Sequence, residues 1–128
     1  MLLKNLIKNI SGNKKDIFIS GLSTNSKEIK KNYIFFAIKG NKINGEKFIH
    51  EAIKNGASVI VCSRACKIRN KNIPIIRTNK VRYLLSEISS KFYPFKPKNI
   101  FAVTGTNGKT SVADIFYQML TINNIPVA

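Results

Sequence analysis

Acid, cysteine and long apolar runs are all scarce in this sequence, and each scarcity closes off a class of protein. Six aspartates and glutamates stand against 22 lysines and arginines, leaving a formal charge of +16. A basic chain can meet nucleic acid, an anionic membrane or a phosphorylated small molecule. Here the lysines are scattered from Lys4 to Lys109, among abundant isoleucine and asparagine, so the charge reads as a bias of the whole chain. The aromatics do not interleave with the basic residues in any repeat, so nucleic acid is not the expected partner. Cys62 and Cys66 are the only cysteines: Cys62 ends an apolar strand and Cys66 falls in a Lys/Arg-rich loop. With no partner cluster they make a poor metal site, and no disulfide is expected in a reducing compartment. The single histidine, His50, reads as a surface residue. No run is long enough to cross a membrane. The first eight residues are interrupted by lysines and lack a signal-peptide core, so a cytoplasmic protein is expected.

What is present is centred on Ile100-Phe101-Ala102-Val103-Thr104-Gly105-Thr106-Asn107-Gly108-Lys109-Thr110-Ser111. Four apolar residues predict a short buried strand, and Val112, Ile115, Phe116, Met119 and Leu120 predict a helix after the glycine turn. Strand, glycine loop, Lys-Thr and helix form the layout of a phosphate-binding loop. Glycines let the backbone approach phosphate, and the free N–H groups of the helix start point at it. In this pattern Lys109 reaches the β- and γ-phosphates of ATP and the Thr110 hydroxyl ligates Mg²⁺. The common pattern asks for a further glycine where this chain has Val103, so the loop is a shorter variant, 105–111.

Upstream, Leu2, Leu3, Leu6, Ile7 and Ile10 predict an opening helix stopped by Ser11-Gly12-Asn13. Residues 16–20 read as a strand, 21–27 as a hydroxyl-rich loop, and Tyr33-Ile34-Phe35-Phe36-Ala37-Ile38 as a strand buried on both faces. A second glycine-bearing loop, 39–45, leads to a helix carrying Phe48, Ile49, Ala52 and Ile53. A strand at 58–62, a basic connection, a short strand around Ile75 and a helix from Val81 to Phe92 follow. Pro94 and Pro97 mark a boundary. The expected organisation is an α/β domain at 1–93, a linker at 94–98, and the start of a second domain at 99–128. That second domain is expected to be incomplete, the opening of a longer enzyme, because one strand and one helix cannot cover a parallel sheet. A second strand is expected to begin at 125–128. No internal repeat or low-complexity segment is present.

The loop Val-Thr-Gly-Thr-Asn-Gly-Lys-Thr-Ser resembles the ATP loop of the Mur ligases, which build the peptide stem of bacterial cell-wall precursors. Three upstream pieces resemble one branch of that family, which adds the third amino acid to UDP-N-acetylmuramoyl-L-alanyl-D-glutamate. They are Leu22-Ser23-Thr24-Asn25-Ser26-Lys27, Ile34-Phe35-Phe36-Ala37-Ile38-Lys39-Gly40 running into Asn44-Gly45, and Phe48-Ile49 through Ala52-Ile53 to Gly56-Ala57. The resemblance implies a UDP-binding first domain, with Thr24 and Ser26 against the uridine and Asn41, Lys42 and Ile43 at the diphosphate. A hydroxyl-rich loop suits uracil and ribose, and a glycine-flanked turn with a lysine suits a diphosphate.

The family more often has Asp-Ser-Arg where this chain has Asn25-Ser26-Lys27, which removes a possible bidentate pair. The implied reaction is ATP-driven amide synthesis through an acyl phosphate, with Lys109 and Thr110 as the catalytic pair. Thr104, Gly105, Thr106, Asn107, Gly108 and Ser111 would shape the loop or bind phosphate. Its substrates would be the UDP-linked muramoyl dipeptide and an amino acid, with no membrane partner. The central and C-terminal domains of the family lie outside the sequence, and the chain by itself is expected to be inactive. Two other readings stay open: a D-alanyl-D-alanine-adding Mur ligase, and a basic nucleic-acid-binding module.

Overall fold

A computed structural model describes residues 1–7, 16–41 and 43–127, in two compact units, Met1–Pro94 and Phe95–Ala128. In the first unit four strands run parallel, side by side in sequence order: β1 Gly21–Ser23, β2 Tyr33–Phe36, β3 Ala57–Cys62 and β4 Ile75–Arg77. Three helices accompany them, α1 Leu3–Leu6, α2 Ile49–Lys54 and α3 Val81–Phe92.

The unbroken apolar runs of β2 and β3 follow from cover on both faces. Alternation along the strands sends Ile34, Phe36, Val59 and Val61 to one face, against Leu3 and Leu6 of α1 and Ile88 of α3. Phe35, Ile60 and Cys62 point the other way, against Ile49 and Ala52 of α2. Ile29 and Cys66, from the β1–β2 and β3–β4 connections, join that second cluster. All three crossovers therefore lie on one face, as connections of a single hand require. Full burial of a side chain such as Phe35 or Ile60 contributes about 1.5–3 kcal/mol.

Local chemistry sets the ends. A 3₁₀ turn at Gly45–Phe48 leads into α2, and the Asn44 Oδ1 accepts from the Glu46 N–H at 3.1 Å to cap it. Gly56, at φ +107, stops α2 where a Cβ would meet the Lys31 backbone at 3.1 Å. At α3 the Thr78 Oγ1 accepts from the Lys80 N–H, and Pro94 forbids helix at the residue before it.

Several sequence expectations are corrected. The opening helix ends at Leu6 and Ile7 is extended, while Ile10 and the stop at Ser11-Gly12-Asn13 lie outside the described residues. Residues 16–20 do not join the sheet: Phe18 makes an antiparallel bridge to Leu2, and the Ile19 N–H donates to the Met1 carbonyl at 2.7 Å. The edge strand is instead Gly21–Ser23, in the stretch that composition marked as loop. Gly21 permits this because the Tyr33 ring lies over it; a Cβ there would sit 2.3 Å from the ring.

In the second unit, α4 spans Lys109–Ile122. The expected strand at 100–103 does not form, and Ile100 and Phe101 are 76% and 70% exposed. A strand needs a neighbour to take its N–H and C=O groups, and no other strand exists among this unit's described residues. Val112, Ile115, Phe116 and Met119 on α4 are likewise exposed, with Phe116 edge-on to Phe101 at 5.1 Å between centroids. No strand begins after α4. Asn124, at φ 56, turns the chain, and the Ile125 N–H closes back on the Leu120 carbonyl at 2.9 Å. Ala128 lies outside the described residues.

Candidate functional site

Two sets of residues carry the candidate chemistry, one in each unit. In the first unit the loops after β1 and β2 leave the carboxyl ends of adjacent parallel strands, the edge where open α/β sheets hold ligands. Thr24 is exposed there. Ser26 is not: it is 5% exposed, and its hydroxyl donates to Glu51 Oε2 at 2.5 Å. The Ser26 carbonyl accepts from Asn55 Nδ2 at 2.9 Å, so α2 grips this loop at two points. On the outer side, Glu28 accepts from the Ser23 hydroxyl at 3.2 Å and from Asn25 Nδ2 at 3.0 Å.

The loop after β2 is a tight return. The Gly40 N–H donates to the Ile43 carbonyl at 2.9 Å, and the Gly45 N–H donates to the Ile38 carbonyl at 2.9 Å. A Cβ on Gly45 would meet the Ile38 carbonyl oxygen at 2.6 Å, so only glycine fits. Asn41 and Ile43 stand exposed on this loop, while Lys42 lies outside the described residues. Beyond β3, the Ser63 hydroxyl donates to Glu46 Oε1 at 2.5 Å, tying the next loop to the start of the 3₁₀ turn. Glu28, Glu46 and Glu51, half of the chain's acidic residues, thus serve as acceptors that fix loops at this edge. Sequence reading missed all three. The signal available was the pairing of hydroxyl-rich loops with the few glutamates in a chain so short of acid.

In the second unit, Gly105 and Gly108 take φ +152 and +75, which bend the loop onto the helix start. The first intrahelical bond runs from the Val112 N–H to the Gly108 carbonyl at 3.0 Å. The N–H groups of Lys109, Thr110 and Ser111 thus have no partner within the helix. Lys109 Nζ donates to the Gly105 carbonyl and, at 3.1 Å, to the Thr106 carbonyl. An ammonium has three donors, so one is left for an anion at the mouth of the loop. Thr104, Thr106, Asn107, Thr110 and Ser111 are all exposed around it.

Cys62 and Cys66 are free and buried. Burial first, and then the neighbouring Cys66 thiol, push the Cys62 thiol up to about 12, so it stays protonated and inert at neutral pH. Among the described residues no group of three histidine, cysteine or carboxylate side chains could hold a metal ion. No helix among them is long and apolar enough to cross a membrane.

The family model described as Mur ligase family, catalytic domain, matches residues 18–93, which contain the whole sheet and both candidate loops of the first unit. The chain belongs to the Mur ligase family. Among relatives of this Mur ligase family member is the UDP-N-acetylmuramoyl-L-alanyl-D-glutamate–2,6-diaminopimelate ligase of Rickettsia prowazekii (strain Madrid E). It is 43% identical over 108 residues, 81% of this chain and 21% of that protein. The ligase of the same name from Wigglesworthia glossinidia brevipalpis is 41% identical over 127 residues, 93% of this chain and 26% of its own. Among solved structures, the MurF ligase of Thermotoga maritima in complex with ADP superposes with a TM-score of 0.63 at 29% identity. That match covers 84% of this chain and 24% of the MurF chain. The chain therefore spans about a fifth to a quarter of the length of the relatives it matches. The α/β fold with its four-stranded parallel sheet is that of the corresponding part of the solved Mur ligase.

Proposed function

We propose that this chain supplies the UDP-holding part, and the opening of the ATP-binding part, of a ligase that adds the third amino acid to UDP-N-acetylmuramoyl-L-alanyl-D-glutamate. The carrying observation is the pair of relatives named as diaminopimelate ligases, 41–43% identical over 81–93% of the chain. Their names point to diaminopimelate as the incoming amino acid. The reading as a D-alanyl-D-alanine-adding ligase has less support, since the solved MurF is 29% identical. Family membership leaves the nucleic-acid module without an argument of its own.

The first unit, 1–93 with its joint at 94–98, acts in this reading as the UDP-substrate domain. Thr24 presents a free hydroxyl to the uridine, while Ser26 fixes the loop through Glu51 and Asn55 and offers the ligand its backbone. Asn41, Lys42 and Ile43 lie at the diphosphate end. In 105–111 the bent glycines and the unpartnered N–H groups fit the phosphates of ATP. Lys109 neutralises charge on them, and Thr110 offers a hydroxyl to Mg²⁺ that arrives with the nucleotide. Bound ATP supplies the phosphoryl group that activates a carboxylate.

The test is an amide-shift titration of the isotope-labelled chain with UDP and, separately, with MgATP. UDP should move Thr24 and the 39–45 loop, and MgATP should move 105–111, with the MgATP response lost in Lys109→Ala. UDP shifts confined to 105–111 would overturn the assignment.

A further inference from the structure

The connection from β3 to β4 folds into a pocket that neither candidate loop uses. Its volume is about 740 Å³, and Arg64, Lys67, Arg69, Lys71 and Arg77 line it. The lining contains no acidic side chain and no aromatic ring. Ile73 and Ile75 alternate with Arg77 along the chain, share a face with it, and add an apolar surface to the lining.

The walls are fixed rather than loose. Arg77 Nε donates to the Cys66 carbonyl at 3.2 Å and its Nη2 to the Ile68 carbonyl at 2.6 Å, which pins the middle of the connection. At the far side, Asn70 Oδ1 accepts from the N–H groups of Asn72 and Ile73 at 2.8 and 3.0 Å. A preformed cationic wall avoids the ordering cost that a loose one would carry on binding.

The identity of the cations is the second observation. This chain meets almost every need for positive charge with lysine; its arginines are Arg64, Arg69, Arg77 and Arg82 alone. Three of those four line this pocket. A general bias toward basic residues places charge, but it does not gather arginine at one spot. Arginine differs from lysine in its planar fork, which matches phosphate oxygens two at a time.

We propose that this pocket binds a compact polyphosphate group, in addition to the sites of the proposed ligase. Its volume lies in the range of small-molecule sites, roughly 300–1,000 Å³. Without an aromatic ring it gives a nucleic-acid base nothing to stack on, so the occupant is a small anion rather than a strand.

The test titrates the isotope-labelled 128-residue chain with pyrophosphate and reads the amides of 64–73 apart from those of 105–111. Saturable shifts at 64–73 are expected, weakened about tenfold or more in the Arg64→Gln/Arg69→Gln double variant. The Arg64→Lys/Arg69→Lys variant keeps the charge and should still lose several-fold, because the fork is gone. Should the glutamine variant lose its dispersed spectrum, Lys67→Gln/Lys71→Gln takes its place with weaker binding again expected. Shifts spread over the scattered lysines, or unchanged affinity in the glutamine variant, would overturn the proposal. Tighter binding of oligouridylate than of pyrophosphate at the same amides would overturn it too, in favour of nucleic acid.

Discussion

Tyr33-Ile34-Phe35-Phe36 lies between two strands, and Ile100-Phe101-Ala102-Val103 lies beside none. The two stretches are alike in hydrophobicity and length. The first is paired on both sides and buried from Ile34 onward; the second leaves Phe101 70% exposed and makes no strand. The difference teaches that a strand is a property of its neighbours. Its backbone groups leave water only when another chain segment takes them. The helices repeat the lesson. α3 buries Ile88 against a finished sheet face, while the 14 residues of α4 present an apolar stripe to solvent.

The largest test of this contrast is hydrogen exchange. Amides of β3 should be protected roughly 10³-fold or more beyond those of α4, because only β3 shares in a cooperative core. An isolated helix of this length is marginal in water. Equal protection would erase the contrast. On the same grounds, the purified 128-residue chain should release no phosphate from ATP when given the UDP-linked dipeptide and diaminopimelate. Turnover would mean that the exposed loop at 105–111 already works as a complete site.

Next in size is a pair of truncations followed by urea unfolding. Phe35→Ala should cost about 3–5 kcal/mol, and Phe101→Ala less than about 0.5 kcal/mol. Gly45→Ala sharpens the account of the substrate loop. The new Cβ must displace the Ile38 backbone, costing about 1–3 kcal/mol, and should disturb UDP shifts across 39–45. Ser26→Ala is smaller still. Losing the hydroxyl that meets Glu51 should cost about 1 kcal/mol of stability, with weaker UDP binding following from a loosened loop. If UDP affinity drops while stability holds, Ser26 meets the ligand directly.

The smallest effect comes from Cys62. An ordinary thiol titrates at 9.0, and burial holds this one up to about 12. Below about pH 9 the proton is bound in both states and contributes no difference. Between about pH 9 and about pH 12 the unfolded chain sheds a proton that the folded chain keeps, so stability falls as pH rises. Urea midpoints on either side of pH 9 should show this fall in wild type and a shallower one in Cys62→Ala.

Much of the first unit was legible because its signals are periodic and local. The double-sided burial of β2 and β3, the α3 face from Val81 to Phe92 and the stop at Asn55-Gly56 each follow from spacing that the structure reproduces. β1 was illegible, since three residues with one apolar side chain carry no period. Its place is fixed by the Tyr33 ring over Gly21, a contact between residues twelve apart. The loops were readable as candidates, but the glutamates that set them were not, because Glu46 and Glu51 act from the segment that follows the loops. The arginine pocket escaped for a different reason. Charge counted along a chain says nothing of which cations meet.

The order of the strands has a consequence for how the protein is made. Because β1, β2, β3 and β4 sit side by side in the order of the sequence, each strand emerging from the ribosome finds its neighbour already present. The face carrying Phe35 and Ile60 is roofed as synthesis proceeds, by the connections themselves. The face carrying Ile34, Phe36, Val59 and Val61 is not. It has Leu3 and Leu6 from the outset but must wait for Ile88, so a nascent chain halted before residue 81 shows an apolar sheet half uncovered. That interval is when this protein most needs a chaperone.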